Sequence, residues 1–317
     1  SLSYVDTLYQ VHFSFADLLL KMGRRAEARR ELLLSLECNP NHFNSAAMLS
    51  KLYYQAADYD SALVMYEIMH RLKADDTTLL PGIARLRSYL GRDGEALQAY
   101  LALLDAGTLS PEDLERAMKI AVGLDRPGAV ERIAAFAAEN PGDHAQALRL
   151  ASRYSIGKGD AGTARRHLEM LTDPGMSDPE ILESLAGLAE KKGDGESLVF
   201  ALESLHRISP EDVDVITSLA EHLLNAGDGD GALAWVGKGL ALEPENGKLR
   251  ILKGNYYRDR GETDMALAEY EIALRDEAWQ SSARQFIWQI RPPQTEEEKA
   301  EQKFFERGQK KRNRNRR

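Results

Sequence analysis

Between Val213 and Leu224 the apolar side chains Val213, Ile216, Leu219, Leu223 and Leu224 fall on one face of a 3.6-residue period, with acids and polar residues between them. Gly227 follows, where a residue free to take positive φ ends a helix at least cost. A second amphipathic run then carries Ala232, Leu233, Val236 and Leu240 and stops before Pro244. The pattern predicts two helices joined by a tight turn. Small residues at Ala220 and Ala232 would let the two approach to the short end of the usual spacing of about 8–10 Å.

This pair recurs along the chain. Glycine stands at Gly23, Gly91, Gly159, Gly193, Gly227 and Gly261, always 34 or 68 residues apart, with Ala57 and Asp125 in the two missing places. Five residues downstream runs a second column: Ala28, Ala62, Ala96, Val130, Ala164, Leu198, Ala232 and Ala266. Seven residues upstream of the glycines runs a third: Ala16, Ser50, Ala84, Met118, Ser152, Ala186, Ala220 and Gly254. Pro40, Pro210 and Pro244 share a further column, and Tyr66, Tyr100 and Tyr270 another, where they should fill gaps between adjacent pairs.

The 34-residue period with these small, turn, alanine, aromatic and proline columns resembles the tetratricopeptide repeat. The resemblance covers residues 9–280, about 86% of the chain, in eight units: 9–42, 43–76, 77–110, 111–144, 145–178, 179–212, 213–246 and 247–280. It implies an all-α, right-handed α-solenoid of helix-turn-helix repeats. Unit four departs from the pattern at Asp125, Pro127, Val130 and an early Pro141, and unit five ends in DPGMSDP, so shorter helices or local irregularity are expected there. Residues 1–8 read as a lead-in, the end of an earlier helix, and the opening at Ser1 fits a removed leader, an anchor or further repeats ahead of it. Residues 281–291, with Phe286, Ile287 and Ile290 at helical spacing, are expected to cap the last unit. Beyond the break at Pro292 and Pro293, residues 292–308 hold one further candidate helix. Thr295 and Glu298 would open it, and Phe304 and Phe305 are available for docking on the stack or on a partner. Residues 309–317 read as a basic disordered tail.

Composition adds little to the fold and more to the chemistry. At 317 residues, with 43% hydrophobic and 29% charged side chains, it is ordinary for a globular chain. The single cysteine, Cys38, excludes an internal disulfide framework and a cysteine-rich metal site, and suits either redox compartment. No apolar run reaches the roughly 18 residues that would span a bilayer. The net charge is −9. The tail cations Lys310, Lys311, Arg312, Arg314, Arg316 and Arg317 leave −15 over residues 1–308, an acidic body that argues against general nucleic-acid binding by the folded part. The tail itself has three readings: contact with anionic lipid or nucleic-acid phosphate, with an acidic protein surface, or solvation alone.

No constellation for catalysis or a cofactor emerges, and an enzyme is not expected. Gly157-Lys-Gly-Asp-Ala-Gly162 matches the dinucleotide fingerprint by letter but falls in a turn between two helices, not after a strand. Asp228-Gly-Asp230-Gly231 begins like a calcium loop and lacks its later ligands. The histidines His12, His42, His70, His144, His167, His206 and His222 show no i, i+4 pair, and most are expected at the surface or its boundary.

By the family resemblance, the second, fifth, ninth and twelfth positions of each unit face a groove. The ninth reads Asp17, Lys51, Arg85, Lys119, Arg153, Gly187, Glu221 and Asn255, four basic residues in succession, with Arg116 and Arg149 nearby. A positive strip there would suit an acidic protein segment. The alternative is that an exposed column simply collects charge, with Glu112, Glu115 and Glu180 diluting its field. The later units, with Glu183, Glu190, Asp214 and Glu221, look acidic, which would polarise the groove. The family's clamp for carboxyl-terminal peptides is missing: Phe13, Asp17, Met48, Thr78 and Gly82 occupy the corresponding places. The expected role is an adaptor or scaffold within a larger, membrane-associated assembly. Tethering to an anionic surface through the tail is the alternative.

Overall fold

The computed structural model describes residues 2–74, 76–171, 178–297, 299–300 and 302–304. Among them the regular elements are all helical. Contacts divide the chain into two compact units, residues 1–158 with 166–172, and residues 159–165 with 173–317.

The first unit contains α1 (Leu2–Lys21), α2 (Arg25–Cys38), α3 (Phe43–Gln55), α4 (Tyr59–Leu72), α5 (Leu80–Tyr89), α6 (Asp93–Asp105), α7 (Pro111–Gly123), α8 (Pro127–Ala137) and α9 (Pro141–Gly157). Helices pack within pairs, α1 on α2, α3 on α4 and α5 on α6, and each second helix packs on the first helix of the next pair. Ala16, Leu19, Ala28, Leu32, Ala46, Leu49, Met65 and Met69 form one core cluster, and Ala62, Leu63, Ile83 and Leu86 another. Each buried leucine removes enough apolar surface from water to contribute about 1.5–3 kcal/mol. On the opposite face of α1, Leu8, Val11, Phe15 and Leu18 are exposed, as is Met22 just beyond its end.

In the second unit α11 (Pro179–Lys192) packs on α12 (Gly195–Ile208), α13 (Val213–Asn225) on α14 (Gly229–Leu242), and α15 (Gly247–Asp259) on α16 (Thr263–Ala273). Then α17 (Gln280–Ile290) covers α16, burying Ala283 and Ile287 against Tyr270 and Ala273. The α-solenoid therefore ends on a capping helix. Acidic and amide side chains start several of these helices: Asp194, Asp212, Asp228 and Asn246 each accept a backbone N–H of the following turn. Asp228 and Gly231 are thus joined as a helix cap.

The turns keep the period in their backbone. Gly23, Ala57, Gly91, Asp125, Gly159, Gly193, Gly227 and Gly261 all have positive φ, between 52° and 89°. The two non-glycine members of the column adopt the same left-handed turn against the preference of their Cβ atoms. Close packing explains another glycine: a Cβ on Gly254 would lie 2.3 Å from the ring of Tyr270, which is fully buried and donates its hydroxyl to Asn255 Oδ1. Tyr100 is equally buried, while Tyr66 is only half-buried.

Residues 2–8 run unbroken into the rest of α1, because nothing in YVDTLYQVHF interrupts helical geometry. Pro141 does not end a helix. It sits at the start of α9, where its fixed φ suits the first turn, so that helix begins four residues before the expected boundary at 145. Five of the seven histidines lie at the boundary, in keeping with the expectation for most of them, while His144 and His167 are buried; His167 Nδ1 lies 3.4 Å from the buried Ser155 hydroxyl. α8 and α10 (Ala161–Glu169) are short, with 11 and 9 residues. The segment Asp173–Pro179 falls almost wholly outside the described residues, as do Glu298 and Phe305, while the described residues from 296 to 304 are helical.

Candidate partner-binding groove

α3 and α5 are the first helices of neighbouring pairs, and α4 packs against both. Between them opens a recess of about 710 Å³. Phe43, Ala47, Tyr66, Met69, Leu79 and Leu86 make it apolar, and Lys51, Tyr54, Gln55 and Arg85 add polar groups. Its shape depends on Gly82, whose missing side chain leaves room for the Tyr66 ring; a Cβ there would come within 2.5 Å of Tyr66 Cε1.

Two of the four cations of the ninth-position column line this recess, and their states differ. Lys51 is exposed and makes no ion pair among the described residues. Arg85 is committed to the fold: its Nε and Nη2 donate to the two carboxylate oxygens of Asp113 at 2.8 and 2.7 Å. Asp113 is only 2% exposed and also accepts from the Ser110 hydroxyl, so the fork ties α5 to the start of α7. The hydrogen bond to that carboxylate raises the Arg85 pKa still further above its ordinary value.

The remaining cations of the strip lie on α7 and α9. Lys119 pairs with Glu115 one turn back. Arg116 lies 5.9 Å over the Tyr89 ring, and Arg149 donates to Gln146 at 3.4 Å. Arg153 is exposed on α9. Arg116 and Lys119 share a smaller recess of about 430 Å³ with Glu112 and Glu115. The structure therefore joins Lys51 and Arg85 at one apolar recess and Arg116 and Lys119 at another, and among the described residues Lys51 makes no ion pair.

Aromatic side chains complete the surface. Tyr59 stacks on Tyr89 at 5.0 Å and meets Tyr54 edge-on at 5.7 Å. Tyr54 and Tyr89 remain exposed, and the Tyr89 hydroxyl pushes the Tyr54 phenol up from its ordinary pKa. Reading the ninth position alone misses Tyr54 and Gln55. Tyr54 stands at the twelfth position of its unit, itself a groove position by the family pattern, and that was the available signal.

In the second unit, Glu190 and Glu221 line a recess of about 390 Å³ with Gly187, Ser218 and His222. Glu221 pairs with Lys248 at 2.6 Å, and Glu183, Glu190 and Asp214 are exposed. The tail cations Lys310, Lys311, Arg312, Arg314, Arg316 and Arg317 lie outside the described residues. The glycine fingerprint of residues 157–162 occupies the turn from α9 to α10, far from the strand-to-helix setting that phosphate binding needs.

A family model described as a tetratricopeptide repeat matches residues 217–238, within α13 and α14. No curated protein matches the chain. Among solved structures, a tetratricopeptide repeat protein from Parabacteroides merdae ATCC 43184 is 17% identical, with a TM-score of 0.40 over 78% of this chain and 98% of that one. The MamA protein is also 17% identical, with a TM-score of 0.31 over 65% of this chain and 94% of its own. A chain of Naa15/Naa10 bound to HypK-THB is 15% identical with a TM-score of 0.46; 90% of this chain is covered but only 61% of that one. The 34-residue period in sequence and turn geometry and the paired helices among the described residues give the chain a tetratricopeptide-like repeat architecture, and residues 217–238 match the model of that family.

Proposed function

We propose that the chain is a non-catalytic scaffold that grips an acidic protein segment at the recess between α3 and α5. Tetratricopeptide repeats generally mediate protein–protein interaction and form a scaffold rather than a catalytic centre. The observation that carries the finer reading is the recess itself: an apolar pocket rimmed by exposed Tyr54 and by Lys51, a cation with no ion pair among the described residues. An apolar anchor residue would fill the pocket, and a neighbouring carboxylate would meet Lys51 in a partly desolvated setting. Arg85 shapes the wall while remaining paired with Asp113. Lys119, Arg116, Arg149 and Arg153 extend the positive character towards α9.

Display of random dodecapeptides against the full chain tests this. Selected peptides should combine a bulky apolar residue with acids, and Lys51→Glu should weaken them at least tenfold without loss of helical content. Peptides insensitive to both Lys51→Glu and Tyr54→Ala would remove the recess from the binding surface.

A further inference from the structure

A second, smaller recess of about 260 Å³ lies beside the first, lined by Arg25, Ala26 and Arg29 of α2 and by Leu52, Gln55 and Ala56 at the end of α3. Gln55 lines both recesses, so the two adjoin. Arg25 and Arg29 are one helical turn apart and point to one face. Both are exposed, and among the described residues neither makes an ion pair or donates to a carbonyl of α3. Arg29 lies 5.9 Å over the Tyr53 ring.

The acids close to them in sequence are already engaged. Asp17 pairs with Lys21, Glu27 with Arg24, Glu31 with His12 and Asp60 with Arg92, while Asp58 caps α4. Arg25, Arg29 and Lys51 thus form a local excess of unspent donors on a body whose net charge is strongly negative. Guanidinium groups in this state favour carboxylates, which they can hold through two parallel hydrogen bonds.

We propose that Arg25 and Arg29 form a carboxylate-binding subsite that reads an acidic stretch of the same partner segment whose apolar residue fills the larger recess. The proposal rests on the groove reading above and adds a condition to it: the partner carries two or more acids beside its apolar anchor. Gln55 lines both sites, and Lys51, one helical turn before it, lines the larger. Paired arginines near the carboxyl end of α3 would also complement its helix dipole, and the experiment separates that role from ligand binding.

Two fluorescein-labelled dodecapeptides serve as probes, one with a leucine beside four glutamates and one with the same leucine beside four glutamines, each in both orders. On the full chain the glutamate peptide should bind at least tenfold more tightly in one order, and 500 mM salt should erase most of that preference. Arg25→Gln/Arg29→Gln should cut the preference at least fivefold, Lys51 retaining the remainder, while leaving glutamine-peptide affinity within twofold. Tyr54→Ala should weaken both peptides. If Tyr54→Ala weakens both and the arginine variant keeps the preference, this subsite is wrong and the groove reading stands. If the arginine variant lowers the melting temperature but keeps the preference, the arginines serve only α3. If neither peptide binds, both readings fall.

Discussion

Arg85 and Asp113 stand 28 residues apart and meet through a two-pronged hydrogen bond of 2.8 and 2.7 Å, the carboxylate almost fully buried and the guanidinium half-exposed. One residue of the predicted binding column is therefore spent on joining neighbouring repeats. Arg85→Met should leave the Asp113 carboxylate buried without its charge partner and cost about 3 kcal/mol, the lower end for such a break because Ser110 still donates to it. Arg85→Met combined with Asp113→Leu should recover most of that loss. Urea unfolding of the single and double variants measures the coupling, and additive losses would refute it.

The column of left-handed turns makes a second expectation. Ala57 holds φ at 56°, a conformation that costs an L-residue about 1–2 kcal/mol and glycine much less. Ala57→Gly should stabilise the first unit by roughly 0.5–1 kcal/mol after the added chain entropy of glycine is subtracted. Asp125→Gly should gain less, since it forfeits hydrogen bonds from the Tyr154 hydroxyl at 2.6 Å and from Lys158. A shift in urea midpoint ordered the other way would contradict this account.

Two further glycines predict opposite signs for the same substitution. Gly237 lies in α14 with open space where a Cβ would go, so Gly237→Ala should stabilise by about 1 kcal/mol. Gly254→Ala should destabilise by about 1–3 kcal/mol, because the new methyl meets the buried Tyr270 ring. Thermal melts of both variants decide the matter.

Acid should weaken the fold through its half-buried histidines. Burial pushes the pKa of His42 below the ordinary histidine value, and burial followed by the nearby Lys238 charge does the same for His206. Both are neutral in the folded chain where the unfolded chain begins to take up protons. Their stabilising contribution is complete above the unfolded pKa of about 6.5 and is lost as pH falls through the lower folded values. Around His42, Ser35 donates to the Tyr9 carbonyl and Ser45 donates to Ser35, so His42 Nδ1 supplies the proton to Ser45. Protonation then falls on Nε2, on a ring packed against Tyr9 and Phe13. The melting temperature should drop between pH 7 and 5, and less steeply in His42→Gln and His206→Gln; parallel curves would place the acid sensitivity elsewhere.

Most of the architecture is legible in the sequence because each repeat must solve the same three problems: a close helix pair, a left-handed turn and an apolar interface. Those demands return every 34 residues in the columns of Gly23, Ala28 and Leu32, the last of which also takes Tyr66, Tyr100 and Tyr270. The binding surface is less legible. Column nine singles out Lys51 and Arg85, which line one recess, yet their roles diverge through Asp113, which nothing in the spacing links to Arg85. The signal for Arg25 and Arg29 lay in the run GRRAEARRE, but only the packing of α2 beside the end of α3 turns that run into a pocket.

Ala57 lies two residues beyond Gln55, where the two recesses meet. A left-handed turn built on a non-glycine residue is therefore joined to the helix end that lines both recesses. A segment seated across Gln55 would clamp the end of α3 and oppose the release of that turn. Amide exchange at residues 56–58 thereby becomes a built-in reporter of occupancy: fast in the free chain and slowed when a ligand holds the end of α3 in place.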